Sequence, residues 1–252
     1  MKKISCLFSA LILVLISSCS SDDSSSDSDN NFVLPKTITM TYPDFPSYNR
    51  REVITYDGNK ILTSVDEYSK TVFTYDGSLI IKQVEFDIDY KGNEVKYAEI
   101  SYTYENGKLK TRILKKGFST EYPNGQFIYK TVYTHVSDNE VTYVFYSVDA
   151  KTNIEVKEHQ GILNYKDGNL VKEDESVYEY DDKNAPFKNI LGYNLLLYEV
   201  GIGNNNITSA SSSLNPFGYI RNYIYGDNGY PTKMTSYRSD GKTIEYITEY
   251  TY

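Results

Sequence analysis

The chain has 252 residues, 40% hydrophobic and 24% charged, which is enough apolar material for one sizeable folded domain and excludes a disordered or collagenous chain. Its 34 acidic and 26 basic residues give a net charge of -8, which argues against nucleic acid as a partner, because backbone binders concentrate Lys and Arg on one face. Twenty-seven tyrosines with no tryptophan are the compositional anomaly, and that skew points to β-sheet.

Lys2 and Lys3 precede an apolar run from Ile4 to Ile16, which is too short for a permanent bilayer span of about 20 residues and has the layout of a signal peptide. Ile16-Ser17-Ser18-Cys19 follows it, an aliphatic residue, two small residues and a cysteine. This resembles the bacterial lipobox. The resemblance implies that Cys19 carries a diacylglycerol thioether and becomes the first mature residue once residues 1–18 are removed. At about 0.8 kcal/mol per buried methylene, two or three acyl chains would hold the protein on a membrane. The competing reading is an ordinary secretory signal with an incidental cysteine. Cys6, the other cysteine, lies in the discarded segment, so the mature chain is expected to hold no disulfide and no free thiol for nucleophilic or metal chemistry.

Residues 19–31 are expected to form the lipidated cysteine and a flexible acidic tether, because SSDDSSSDSDNN has no apolar side chain to offset its ordering entropy. Asp22 and Asp23, just after Cys19, resemble the acidic surface-export signal of Bacteroidota lipoproteins; a plain solvating linker is the alternative reading. An aspartate-rich run also invites calcium, but it lacks the spaced ligands and the turn glycine of a calcium loop.

Residues 32–252 are expected to form one tyrosine-rich β-meander domain. From Val53 onward a unit recurs in which an alternating segment ends in tyrosine and a polar residue, a turn with glycine follows, and another alternating segment begins. It reads ITYDGNKIL, FTYDGSLII, YTYENGKLK and LNYKDGNLV. Asp-Gly or Asn-Gly at positions 57–58, 76–77, 106–107, 167–168, 228–229 and 240–241 supplies the positive φ that tight hairpins need. About a dozen antiparallel strands in up-and-down order follow, because the turns leave no length for parallel crossovers. These units resemble the tyrosine-aspartate repeats of Rhs-like proteins and, over most of the mature chain, Bacteroidota lipoproteins of unknown function with a porin-like fold. The more specific stretch is YEYDDKNAPFKNILGYNLLL, residues 178–197. The resemblance implies fold and envelope location, and brings no catalytic residues with it.

The fold class expected is all-β, an antiparallel up-and-down meander forming a curved sheet or partial barrel with one short helical insertion near 186–200. Within 126–136, Phe127, Tyr129, Tyr133 and His135 share one face, and Ile128, Val132 and Val136 share the other. The helical insertion rests on Phe187, Ile190, Leu191, Asn194, Leu195 and Tyr198 at helical spacing after Pro186, against Gly192 within it. Alternation from Ile244 to Tyr252 matches the last strand of a transmembrane barrel, but charged and amide side chains on both faces of most strands favour a soluble sheet.

No catalytic, metal or cofactor site emerges. His135 and His159 have no second imidazole or thiolate at metal spacing, Asp181-Asp182 reads as a turn before it reads as a calcium site, and no phosphate loop or nucleophile elbow is present. Tyr129 and Tyr133 are the candidate ligand-binding residues, since ring faces on a sheet stack sugars or peptides at low entropic cost; cross-strand packing is the competing role. The expected function is a noncatalytic binding or scaffold module of the cell envelope. It would sit as an outer-membrane lipoprotein facing the periplasm or the cell surface, with the membrane as partner through its anchor and an envelope polysaccharide or protein as ligand. The alternative is a surface glycan hydrolase using a carboxylate pair that sequence cannot pick out. The anchor is testable now: Cys19→Ala should abolish metabolic palmitate labelling and partition into detergent, and unchanged labelling would overturn the lipobox.

Overall fold

A computed structural model describes residues 32–197, 203–213 and 218–252; the expected signal peptide, Cys19 and the acidic tether lie outside the described residues. Strands follow one another as β1 (Thr37–Thr41), β2 (Arg50–Asp57), β3 (Lys60–Val65), β4 (Ser69–Asp76), β5 (Leu79–Ile88), β6 (Glu94–Glu105), β7 (Lys108–Lys116) and β8 (Phe127–His135). They continue as β9 (Glu140–Val148), β10 (Glu155–Lys166), β11 (Asn169–Glu173), β12 (Ser176–Tyr180), β13 (Ile207–Ser212), β14 (Tyr219–Tyr225), β15 (Pro231–Arg238) and β16 (Ile244–Thr251). Each pairs antiparallel with its sequence neighbours. The meander is as expected, but the curved sheet or partial barrel is corrected to a closed sixteen-stranded barrel. Closure comes from the terminal strands, where Ile38 pairs with Tyr250 and Met40 with Thr248, joining two edges that an open sheet would leave unpaired. Sixteen strands exceed the dozen expected because connections such as 42–49, 136–139 and 149–154 carry no Asp-Gly or Asn-Gly signal.

The helical insertion over 186–200 is also corrected. A single 3-10 turn, Tyr193–Leu195, forms there, and residues 198–200 lie outside the described residues. Gly192 takes φ 72°, a left-handed backbone that interrupts any helix running on from Pro186.

The recurring tyrosine has a geometric role. Gly58, Gly77, Gly107 and Gly168 take positive φ in their turns. Just before each turn a tyrosine points into the barrel and pairs across the hairpin with the first buried apolar residue beyond it: Tyr56 with Ile61, Tyr75 with Ile80, Tyr104 with Leu109, and Tyr165 with Leu170. The register slips at every one of these pairs. A bulge leaves a ladder group of the strand backbone without its partner. The next hairpin satisfies it. Tyr104 donates its hydroxyl to the Ile80 carbonyl at 2.7 Å, Tyr180 to Leu170 at 2.7 Å, Tyr223 to Ile207 at 2.9 Å and Tyr252 to Pro231 at 2.9 Å, and each acceptor stands at a register shift. His135 occupies the tyrosine position of its own hairpin, and its Nε2–H donates to the Leu109 carbonyl at 2.9 Å.

These hairpin turns lie at the end of the barrel that also holds Phe32 and Tyr252, since Thr37 pairs with Thr251 there. The connection from β12 to β13 folds across this end. Leu191 N–H donates to the Asn59 carbonyl at 2.9 Å, and the Leu191 carbonyl accepts from Tyr75 Oη at 3.1 Å. Asn189 Nδ2 donates to the Val33 carbonyl and to Tyr230 Oη, and Asn204 Nδ2 to the Asp167 carbonyl. Gly192 lies so close to the β4–β5 turn that a Cβ would meet the Ser78 carbonyl oxygen at 2.5 Å. Ala185, Ile190 and Leu196 are buried, the latter two in one core with Ile54, Ile80, Ile100, Leu109, Tyr133 and Leu163. The core therefore fills the barrel at this closed end.

The outer wall is mixed. Thr55 bonds Thr63 and Thr103 bonds Thr111 across strands, while Glu99 in the middle of β6 is flanked by Lys82 at 3.2 Å and Lys96 at 2.6 Å. Lys130 with Glu155 and Lys233 with Glu249 add further outward pairs. These charged pairs interrupt the outward faces of β5–β6, β8–β10 and β15–β16.

Two stability measurements follow. Leu196→Ala should cost about 2–5 kcal/mol in urea unfolding by opening a cavity under the insertion, and Tyr104→Phe about 1–3 kcal/mol by stranding the Ile80 carbonyl, whereas Tyr90→Phe on the surface should cost nothing measurable. Burial pushes the Tyr75 and Tyr104 phenols up to about 12. An unfolded phenol ionises near pH 10, so the neutral form stabilises the fold below about pH 10 and this contribution is lost as the pH rises toward about 12. Phenolate absorbance should then rise in step with loss of the far-ultraviolet sheet signal.

Candidate lumenal binding site

Strand alternation sends every second side chain inward, and toward the end opposite the insertion the inward residues turn polar and aromatic. On β14 these are Tyr219, Arg221, Tyr223 and Tyr225, set in register against Ser236 and Met234 of β15, which in turn pair with Tyr246 and Thr248 of β16. Of these, Arg221, Tyr223, Met234, Tyr246 and Thr248 line, with Met40, Arg50 and Glu52, a cavity of about 400 Å³ that Pro186, Phe187 and Tyr193 of the insertion close from below. Arg50, an exposed residue, stands at its mouth.

Arg221 dominates the wall. Its guanidinium lies 4.1 Å over the Tyr219 ring, and Nη2 donates to Tyr246 Oη at 2.9 Å. Among the described residues it makes no ion pair with a carboxylate. Glu52, the acid of this cavity, accepts instead from Ser64 Oγ. Burial pushes the Tyr219 and Tyr223 phenols upward, keeping both as neutral hydrogen-bonding groups. Tyr246 also packs 5.6 Å from Tyr42, which leads to the exposed rings of Phe45 and Tyr48 on the connection from β1 to β2.

A second inward wall is aromatic. Tyr129, Phe145 and His159, on β8, β9 and β10, stack in sequence at 5.6 and 4.8 Å between ring centroids. Tyr129 also lines an open cavity of about 640 Å³ with Phe127, Ser147 and Lys151. Of the two tyrosines singled out as ligand-binding candidates, Tyr129 is half-buried at this cavity, whereas Tyr133 is 1% exposed and belongs to the core. Cys19 lies outside the described residues.

Carboxylates elsewhere are tied into the structure. Asp181 accepts from the Lys183 and Asn206 amides and from the Tyr225 hydroxyl, anchoring both ends of the insertion in a turn. Asp174 accepts from Tyr143 Oη at 2.7 Å and the Ile162 amide at 2.8 Å. Beside it, burial holds the inward Glu173 above the ordinary carboxyl range, with Tyr178 Oη donating to it. Among the described residues no group of three His, Cys, Asp or Glu side chains converges on a metal site.

Sequence reasoning missed Arg221, Tyr246, Phe145 and His159. The one available signal for Arg221 was its place in YIRNYIY, a lone cation at the parity of the tyrosines.

The whole architecture is similar to that of a porin-like protein from Bacteroides vulgatus ATCC 8482, with a TM-score of 0.57 and 12% identity over 88% of this chain and 99% of that one. The likeness is one of fold. A porin-like protein from Bacteroides uniformis ATCC 8492 gives a TM-score of 0.33 at 13% identity, over 81% of this chain and 77% of that one. No family model and none of the curated proteins matches the chain. The porin-like barrel implied by the repeat resemblance is present.

Proposed function

We propose that this chain is a noncatalytic binding protein of the bacterial cell envelope, held to the outer membrane by lipid on Cys19, with its barrel standing in water and the open half of its lumen acting as a binding cup. The observation that carries this reading is the contrast between the two ends. Sixteen strands are enough to enclose an aqueous channel, yet here the interior is filled at the insertion end by packed tyrosines, aliphatic residues and a chain segment. A filled end suits a cup better than a pore. The Lys82–Glu99–Lys96 cluster in the middle of the outer wall would be costly in hydrocarbon and is ordinary in water. The porin-like protein of Bacteroides vulgatus that shares the fold supports an envelope setting.

The ligand surface in this reading is the inward polar and aromatic wall, with Tyr129, Phe145 and His159 offering ring faces on one side and the Arg221 cavity on the other. Tyr133 serves the core beneath. Envelope polysaccharide is the class of partner that such stacked rings and hydroxyls recognise.

The chain from Ser20 onward should purify without detergent as a single species and produce no step conductance in planar bilayers. A need for detergent together with ion conductance would overturn the cup in favour of a membrane-spanning pore.

A further inference from the structure

The buried polar atoms of the barrel are unevenly satisfied. Arg221 Nε, Thr248 Oγ1 and Asn206 Oδ1, all on residues lining the 400 Å³ cavity, have no hydrogen-bond partner, and neither do Tyr219 Oη under the guanidinium nor Ser236 Oγ, whose strand position pairs with both Arg221 and Tyr246. Buried polar groups in folded proteins are almost always bonded, so a cluster of unmet donors and acceptors around one cavity calls for an occupant. The electrostatics say which kind. Arg221 and Arg50 bring two positive charges and Glu52 one negative charge, and the Glu52 carboxylate is already engaged by Ser64. A guanidinium that is half-buried at a cavity, always charged and without a carboxylate among the described residues favours an anion as its partner. The remaining groups are hydroxyls and amides, which match a polyol, and the flanking rings of Phe187, Tyr193 and Tyr250 match the apolar faces of a sugar.

We propose that this cavity binds a small acidic carbohydrate, a mono- or disaccharide bearing a carboxylate or sulfate, with the acid group on Arg221 and the ring hydroxyls on Thr248, Asn206 and Glu52. This rests on the cup reading of the lumen and specifies its ligand. The volume of about 400 Å³ lies at the small end of ligand pockets and excludes a long chain lying wholly inside. Arg50 at the exposed mouth steers the anion inward.

The test is calorimetric titration of the full chain in detergent micelles with galacturonic acid, glucose 6-sulfate and neutral galactose. At least one of the two acidic sugars should bind at least about tenfold more tightly than galactose, the preferred acid identifying the group recognised, and its affinity should fall as sodium chloride is raised. Arg221→Met should remove that preference by at least about tenfold. Because Arg221 is half-buried, the fold of its variant is checked by thermal melting, and Arg50→Gln, at an exposed position, should give a several-fold loss of acidic-sugar affinity with an unchanged melt. Equal binding of galactose and the acidic sugars, no binding of any probe at millimolar concentration, or acidic-sugar affinity unmoved in both variants would each overturn the proposal. Those results leave the cup itself standing, since that reading fails on bilayer conductance instead.

Discussion

The structure depends on how its bulges are satisfied. The β2–β3, β4–β5, β6–β7, β10–β11 and β14–β15 hairpins carry a slipped register beside their turns, and a slipped register frees a backbone group that cannot remain unmet once it is enclosed. The carbonyls of Ile80, Leu109, Leu170, Ile207 and Pro231 all stand at such slips, and each accepts a hydrogen bond from an aromatic side chain at or near the end of the next strand. The bulge aims the tyrosine inward and creates the acceptor for its neighbour. One repeated geometry therefore fixes turn, register and packing together, and passes the constraint around the barrel from hairpin to hairpin.

Several larger features follow from that ring. It concentrates bulk and backbone hydrogen bonding at the end with the tight turns, so this end is where the β12–β13 connection finds complementary groups: the Asn59, Asp167 and Val33 carbonyls and the Tyr75 and Tyr230 hydroxyls. A chain segment that bonds to several hairpins at once links elements far apart in sequence. The opposite end has longer connections and lacks such a ring, and its inward side chains are free to be polar. The asymmetry between a filled end and a lined end comes from where the tight turns and their inward tyrosines are placed.

Much of this was legible in the sequence. The Tyr-x-Gly rhythm gave antiparallel hairpins in order, the glycines took the positive φ expected of them, and the two faces assigned within 126–136 correspond to lumen and exterior. Closure was not legible, because pairing between β1 and β16 is a contact between the two ends of the domain and leaves no local mark. The helix expected over 186–200 arose because that segment has apolar residues on several sides; they are buried by the hairpins around an irregular chain, and burial of that kind imitates helical periodicity. The cavity wall was hidden for a related reason. Arg221, Tyr246 and Glu52 come from strands β14, β16 and β2, and only the closed barrel brings them to one cavity. His135, read as a histidine without a metal-spaced partner, fills the tyrosine position in the ring, a role visible only when the hairpins are overlaid.

The absence of tryptophan beside so many tyrosines also acquires a reason. A wide barrel needs large side chains to fill it, and phenylalanine would fill space while leaving the bulge carbonyls unmet. Tryptophan donates from the side of its ring, away from the tip. Tyrosine alone among the large aromatics places a donor at the far end of a rigid ring, where a neighbouring hairpin can receive it. The same property explains the one place where the pattern changes. On β14 and β16 the inward tyrosines Tyr219 and Tyr246 meet a guanidinium, so a ring face and a hydroxyl that elsewhere complete the backbone are here turned toward a charge. A residue type selected to close a barrel becomes, where its partner is a cation lacking a carboxylate among the described residues, part of the wall of a cavity.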